Sequence, residues 1–328
     1  MTVIPSIDVD LFRAAVAAAV RAPSVYNVQP WRFALVDDAI EVRIDPYRLL
    51  PVADPGRWAT RVACGAAIAN IELSLAVAGV RAKTRLWPRP SDDLLVATII
   101  ADGACAPSPR QKALASAIAR RRSNRHPFSD TPVPADARAR IVAAAEAAGG
   151  WLVLVDDRTS VANLAAIVSD AEQLLRSDAA YVAEMRAWTS RYHTEQVGIP
   201  AEAAGIAPAP QDVLAMRDYG GKARAEGRDF EQEPLLAVLG TSGGGAFDDV
   251  LAGMALQTVL LTATDAGLAA SMLSQPIEVP QARGELRRTL RRQGTPQMII
   301  RLGFGQPTTS SPRRPIDSVI DTTFDHAG

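Results

Sequence analysis

Cysteine and histidine are scarce in this chain, with two of the first and three of the second in 328 residues. Cys64 and Cys105 give no disulfide framework, and His126, His193 and His326 are too scattered for a zinc-ligand spacing. Cys64 lies in an apolar helical stretch and reads as core more readily than as a nucleophile. Aromatic residues make up only 5% of the chain, which leaves little surface for stacking bases. The formal net charge is −1 and the isoelectric point near 6.3, so no global basic field draws the chain to nucleic acid or to a membrane. No basic segment precedes an apolar run near Met1, where Asp8 and Asp10 come before the first helical pattern, so a signal peptide is not expected. The most apolar helical stretch, Leu251 to Leu273, carries Gln257 and Asp265, which argues against a membrane span. No G-x-G-x-x-G fingerprint follows a strand. Gly240-Thr-Ser-Gly-Gly-Gly245 lacks the Lys-Ser/Thr ending of a phosphate loop and reads as a flexible strand-to-helix turn. The expectation is a cytoplasmic globular protein with no metal.

What is present is an apolar majority, 48% hydrophobic against 22% charged, in a chain long enough for one large core or two domains sharing one. Two stretches resemble each other without a gap. When Cys64–Val80 is set above Ala252–Leu268, Gly65 meets Gly253, Ala67 meets Ala255, Ile71 meets Val259, Leu73 meets Leu261 and Gly79 meets Gly267. Both predict long helices, apolar on nearly every side and hence buried, with a glycine stop. Trp31-Arg-Phe-Ala-Leu-Val-Asp-Asp38 likewise resembles Trp151-Leu-Val-Leu-Val-Asp-Asp157, each after an alanine-rich helix, and further strands are expected at Leu94–Ile100 and Gln297–Leu302. Each half then runs helix, strand, long helix, strand, and two such α+β halves pack around paired central helices. The first half spans 1–110 and the second 111–328. The stretch from about 189 to 233, rich in Pro, Gly and charge, has no counterpart in the first half and reads as an ordered covering, lid or binding loop.

Two local motifs carry chemistry. Arg21-Ala-Pro-Ser-Val-Tyr-Asn-Val-Gln-Pro-Trp31 is a turn-rich loop between a helix and a strand. Pro23 ends the helix and Pro30 blocks its resumption. Ser24, Asn27 and Gln29 are then held in irregular backbone, able to offer N–H groups and amides to a flat, heteroatom-rich ligand. The plainer reading is a helix cap and connecting turn. Arg120-Arg-Arg-Ser-Asn-Arg-His-Pro-Phe128 is the densest positive cluster. It reads as a phosphate cradle, because guanidinium forks match phosphate oxygens, or as a solvated helix end.

Together these motifs resemble the nitroreductase family of flavoproteins, whose members carry Arg-(Arg)-Ser-x-Arg-x-Phe and Ala-Pro-Ser-x-x-Asn-x-Gln-Pro-Trp. Here they stand as Arg121-Arg-Ser-Asn-Arg125 with Phe128, and as Ala22 to Trp31. The likeness continues through the Gly253–Leu268 helix, Ser274-Gln-Pro-Ile-Glu278, Leu302-Gly-Phe-Gly305 and Pro312-Arg-Arg-Pro-Ile316. The order departs from the family's: the Pro-Ser loop comes first and the arginine motif far downstream. In the family's homodimer each flavin is held by the arginine motif of one subunit and the Pro-Ser loop of the other. The resemblance therefore implies a nitroreductase-like α+β fold with two pseudo-symmetric halves in one chain, like a fused homodimer, closest to the Acg-type branch. Residues 1–20 lack an arginine motif and Ala145–Trp151 lacks a Pro-Ser loop, so one composite site and one degenerate site are expected.

The resemblance also implies FMN, one per chain. Arg121 and Ser123 match the phosphate positions, joined by Arg313, while Arg125 matches the basic residue near the ring's pyrimidine edge. Pro23, Ser24, Val25 and Asn27 match the loop against the ring, and Ser274 and Gln275 match, more loosely, a turn on its opposite side. No catalytic side chain is expected, since the flavin carries the electrons. The implied activity is electron transfer from NAD(P)H, bound transiently, to a small-molecule acceptor such as a nitroaromatic or quinone. The alternative is an FMN-sequestering or storage flavoprotein with its site covered by the insertion. The site is expected to be complete within one chain, which admits a monomer.

Overall fold

A computed structural model describes residues 5–209, 211–221, 230–231 and 233–321. The first half contains α1 (Val9–Ala19), β1 (Trp31–Val36), β2 (Ala39–Ile44), α2 (Trp58–Val77), β3 (Val80–Leu86) and β4 (Leu95–Ala104). Helices α3 (Pro109–Ile118) and α4 (Ala135–Ala147) follow, then β5 (Trp151–Val155), α5 (Arg158–Ser177), α6 (Ala179–Thr189) and the short α7 (Ala201–Ala204). The chain continues through β6 (Leu235–Thr241), α8 (Ala246–Asp265), β7 (Ala269–Leu273), α9 (Gln275–Glu278), α10 (Pro280–Leu290) and β8 (Thr295–Gly303). Side chains fix several helix starts. Asp8 accepts from Leu11 N at 2.8 Å, Ser108 and Gln111 form a reciprocal capping box on α3, and Asp157 and Asp178 cap α5 and α6.

The strands form two four-stranded antiparallel sheets of the same topology, β1-β2-β4-β3 and β5-β6-β8-β7. Each half thus holds four strands; the sequence names two in each, and in the second half the strand-to-helix turn at Gly240 implies a third without setting its bounds. β3 was hidden by its exposed face of Arg81, Lys83 and Arg85, and the extent of β6 by a run buried throughout, in which strand and helix cannot be told apart by period. Residues 269–273 are a strand and not the end of the apolar helix, because Gly267, at φ 75°, closes α8 before them.

Helices α2 and α8, each 20 residues long, cross at the centre. At Gly65 a Cβ would overlap the carbonyl oxygen of Val250, and at Gly253 one would overlap that of Val62. The contacts are reciprocal, as in an isologous interface: the glycines occupy equivalent steps of the two helices, and so do the valines. Gln257 Nε2 donates to Asn70 Oδ1 at 2.7 Å in the same seam. Both helices are long and apolar enough to cross a membrane by composition, yet most of each is buried inside the protein. The two cores interlock through them, since Trp58, Ala59 and Val62 of α2 join the second half's core and Val250 of α8 joins the first's.

The halves differ between their first and second strands. β1 and β2 are joined by a tight hairpin, whereas β5 and β6 are separated by α5, α6, α7 and an irregular stretch. The departure therefore begins at residue 156, well before 189. Residues 222–229 of the expected insertion and His326 lie outside the described residues. A C-terminal strap returns to the first sheet, where Phe33 N donates to Val319 O at 2.9 Å and Asp321 N to Phe33 O at 2.7 Å.

Candidate functional site

The loop at Ala22–Trp31 is a strained turn. Tyr26, Asn27 and Gln29 all have left-handed backbone, at φ 51°, 57° and 55°, a conformation that surrounding contacts must hold in place. Asn27 Nδ2 donates to Gly198 O and to Pro312 O, each at 3.0 Å, and Asn27 Oδ1 accepts from Arg313 Nη1 at 2.9 Å. Gln29 Nε2 donates to Gln196 O at 2.9 Å, and Gln29 Oε1 accepts from Arg314 N at 2.9 Å. Sequence reasoning treats these amides as free for a ligand. The structure uses them to tie the loop to the insertion and to the C-terminal strap. Ser24 Oγ accepts from Gln29 N at 3.0 Å, which leaves its proton to donate.

The arginine segment reaches this loop from the other side. Asn124 N donates to Ala270 O at 2.8 Å, which lays Ser123–Asn124 along the edge strand β7. From the centre of β8, the fully buried Arg301 donates to His126 O at 2.7 Å and to Asn124 O at 3.3 Å. Arg301 is paired with Glu231 at 3.1 Å, and a Glu231 oxygen also accepts from Phe128 N at 2.9 Å. The segment is thereby fixed along its length.

Between loop and segment runs a cleft with two continuous ends. One end is largely apolar, with Val25, Trp58, Val62, Leu256, Met272 and Met298 among its walls and Ser274 and Tyr219 at its edge. The other carries Arg21, Arg121, Arg122, Arg125 and Arg313 with Ser24, Asn27, Ser123, Ser310 and Ser311. Pro23, Ser24, Ser123, Arg125 and Met272 line both. Nine of the ten residues singled out in the sequence meet here: Pro23, Ser24, Val25, Asn27, Arg121, Ser123, Arg125, Ser274 and Arg313. Gln275 is set back from both ends and donates to Ala215 O at 3.2 Å.

Among the described residues, none of the five arginines forms an ion pair with a carboxylate. Arg313 spends its Nη atoms on Asn27 Oδ1 and carbonyl oxygens, and Arg121 Nη2 donates to Arg21 O at 3.1 Å. Their Nε atoms are buried and without a hydrogen-bond partner. Burial, and then repulsion from neighbouring arginines, pushes the Arg121 guanidinium down to about 10 and that of Arg313 to about 9; burial lowers Arg125 as well. Such a cluster is built for an anion.

Several walls carry no motif in the sequence. Trp58 enters because Asp54, buried and raised by desolvation, accepts from Ala59 N and Thr60 N and starts α2 at that point. Trp58 Nε1 then donates to Gln297 Oε1 at 2.7 Å, which fixes the indole. The insertion packs against the cleft. Arg125 Nη1 donates to Ala203 O at 2.8 Å, and its guanidinium lies 4.9 Å from the Tyr219 ring centre. Gly205, at φ 91°, touches the Arg125 backbone so closely that a Cβ would sit 2.5 Å from its carbonyl oxygen. Arg217 anchors this stretch from behind, at 3.1 Å from Glu278 and 3.7 Å from Glu172.

The family model for the nitroreductase family matches residues 5–59 and 118–304, which include both the loop and the arginine segment. The chain belongs to the nitroreductase family. Two Mycobacterium tuberculosis relatives named "Putative NAD(P)H nitroreductase", Rv3131 and acg, are each 31% identical to it. The alignments cover 96% of this chain with 92% of the first relative, and 96% of this chain with 96% of the second. The nitroreductase fold is correspondingly α+β, with two sheets around the crossed helices. Among solved structures, a nitroreductase with bound FMN from Desulfitobacterium hafniense aligns at TM-score 0.40 and 15% identity, over 64% of this chain and 98% of that one.

Proposed function

We propose that this nitroreductase-family chain binds one FMN in the cleft and uses it to pass electrons from NAD(P)H to a small acceptor such as a nitroaromatic or quinone. The carrying observation is the arginine end, cationic and, among the described residues, without a carboxylate, continuous with an apolar slot. Two buried Nε atoms there lack partners, as a site for a phosphorylated, flat, apolar-faced group requires. Arg121, Arg313 and Ser123 would hold the phosphate, Arg125 the pyrimidine edge, and Pro23, Val25, Val62 and Met272 the ring. FMN, when bound, supplies the two-electron carrier. The chain's own work is then positional and electrostatic: Arg125 favours negative charge at the end of the slot it shares, and the apolar walls exclude water.

We read the chain as two fused halves, 1–110 and 111–328, acting as a self-contained cytoplasmic unit. One half supplies the loop and the other the arginines. The measurement that tests the reading is anaerobic mixing of the FMN-loaded protein with NADH and NADPH. Bleaching of the flavin band by either supports it, with one FMN per chain. Bleaching by dithionite alone sinks the oxidoreductase reading. That result would favour flavin sequestration, the second reading, which rests on Tyr219, Ala203 and Gly205 crowding the cleft. Tyr219→Ala should then restore reduction by NAD(P)H.

A further inference from the structure

The phosphate end holds more positive charge than one phosphate uses. Five arginines line it, and among the described residues no Asp or Glu does. A phosphomonoester contributes roughly −1.5 to −2 near neutral pH, and a reduced flavin ring adds one more negative charge at the Arg125 end. Arg121, Arg125 and Arg313, buried or half-buried, are balanced by those two groups. Arg21 and Arg122 are left over, and both are exposed at the mouth.

The mouth has the form of a binding edge. Arg122 is fixed by donating from Nη1 to Thr308 O at 2.9 Å and from Nε to Arg120 O at 3.1 Å. Arg21 makes no side-chain hydrogen bond among the described residues, while its backbone oxygen accepts from Arg121 and so couples rim to interior. Ser310 and Ser311 add hydroxyl donors on the same rim. Some exposed arginines elsewhere find carboxylates, as in Arg13–Asp317, Arg57–Asp93 and Arg140–Asp265, while Arg85, Arg110 and Arg158 form no ion pair among the described residues; what sets Arg21 and Arg122 apart is that they border the same cleft as three further arginines.

We propose that the mouth of the cleft, through Arg21 and Arg122, binds a second phosphoryl group adjacent to the first. The ligand chemistry is that of a pyrophosphate or of two neighbouring phosphates. Two sources fit: the second phosphate of a dinucleotide flavin, or a phosphate carried by a separate ligand beside FMN. This deepens the flavin reading, because it assumes that the first phosphate is the flavin's.

The test uses the full chain freed of small ligands, titrated calorimetrically with inorganic phosphate and with pyrophosphate. Pyrophosphate should bind about tenfold or more tightly than phosphate, the scale of one added charge-assisted contact. The double variant Arg21→Ala/Arg122→Ala, whose folding is checked by its unfolding midpoint, should remove that gain. Riboflavin, FMN and FAD are then compared. A gain of FAD over FMN that disappears in the double variant places the second phosphoryl on the flavin itself. FMN binding that is tightened by inorganic phosphate, in the parent protein only, places it on a separate ligand. Equal affinity for phosphate and pyrophosphate, or a gain that survives the double substitution, overturns the proposal. Failure of all three flavins to bind refutes the flavin reading instead, and the phosphate arms still decide this one.

Discussion

Two sets of arginines divide this molecule. Arg217, Arg301 and Arg314 are buried away from the cleft, and each faces a carboxylate: Glu278 and Glu172, Glu231, and Asp45. Arg21, Arg121, Arg122, Arg125 and Arg313 line the cleft and face none among the described residues. A buried charge is tolerated when it is paired and hydrogen-bonded, and is costly otherwise. The first set is therefore neutralised within the fold, although Arg217 Nε and Arg301 Nε, like those of Arg121 and Arg313, lack a hydrogen-bond partner, and it holds loop, segment and insertion in place. The second set meets no carboxylate among the described residues, and the proposed flavin phosphate would neutralise its buried members Arg121 and Arg313. The contrast separates scaffold from site within one residue type, which composition alone cannot do.

The sharpest way to break this comparison is to remove a paired arginine. Arg301→Met strands Glu231 and frees the carbonyls of Asn124 and His126. It should cost about 3–5 kcal/mol, read from urea unfolding, as expected for one partner removed from a buried pair. Next comes Arg121→Ala in the unpaired set. Flavin affinity should fall by roughly 10- to 150-fold, the loss of about 1.5–3 kcal/mol for a charged hydrogen bond. The flavin-free protein should meanwhile unfold at the same or higher urea, because a repelling charge has gone. A loss of stability as large as that of Arg301→Met would erase the distinction between the sets. Arg125→Ala should weaken FMN by about tenfold and lower its reduction potential, since the cation beside the reduced ring is lost; an unmoved potential would take Arg125 away from the ring. The smallest effect is that of salt. Raising it from about 0.05 to 0.5 M should weaken flavin binding several-fold by screening the exposed rim, with little change in unfolding of the flavin-free chain.

The motifs were legible because each compresses a local requirement into a short string. Pro23 and Pro30 bracket the loop, and the run from Arg120 to Arg125 marks the arginine segment that faces it. The glycine register of the central helices was legible too, because close crossing at Gly65 and Gly253 tolerates no side chain. The loop's amides misled, since an Asn or Gln in irregular backbone looks the same whether its partner is a ligand or a distant carbonyl. Gln275 fell outside the cleft because a turn of this kind can face either way. Trp58, Met298 and Tyr219 left no mark in the sequence, each brought in by a different element.

The sequence by itself determined the family, the loop, the arginine segment and the paired helices, all set by residues close in the chain. Only the tertiary structure decided which charges are neutralised. A carboxylate can meet an arginine from anywhere along the chain, as Glu231 meets Arg301 and Asp45 meets Arg314. Whether a positive charge is satisfied by the fold or left for a ligand is a property of contacts in space.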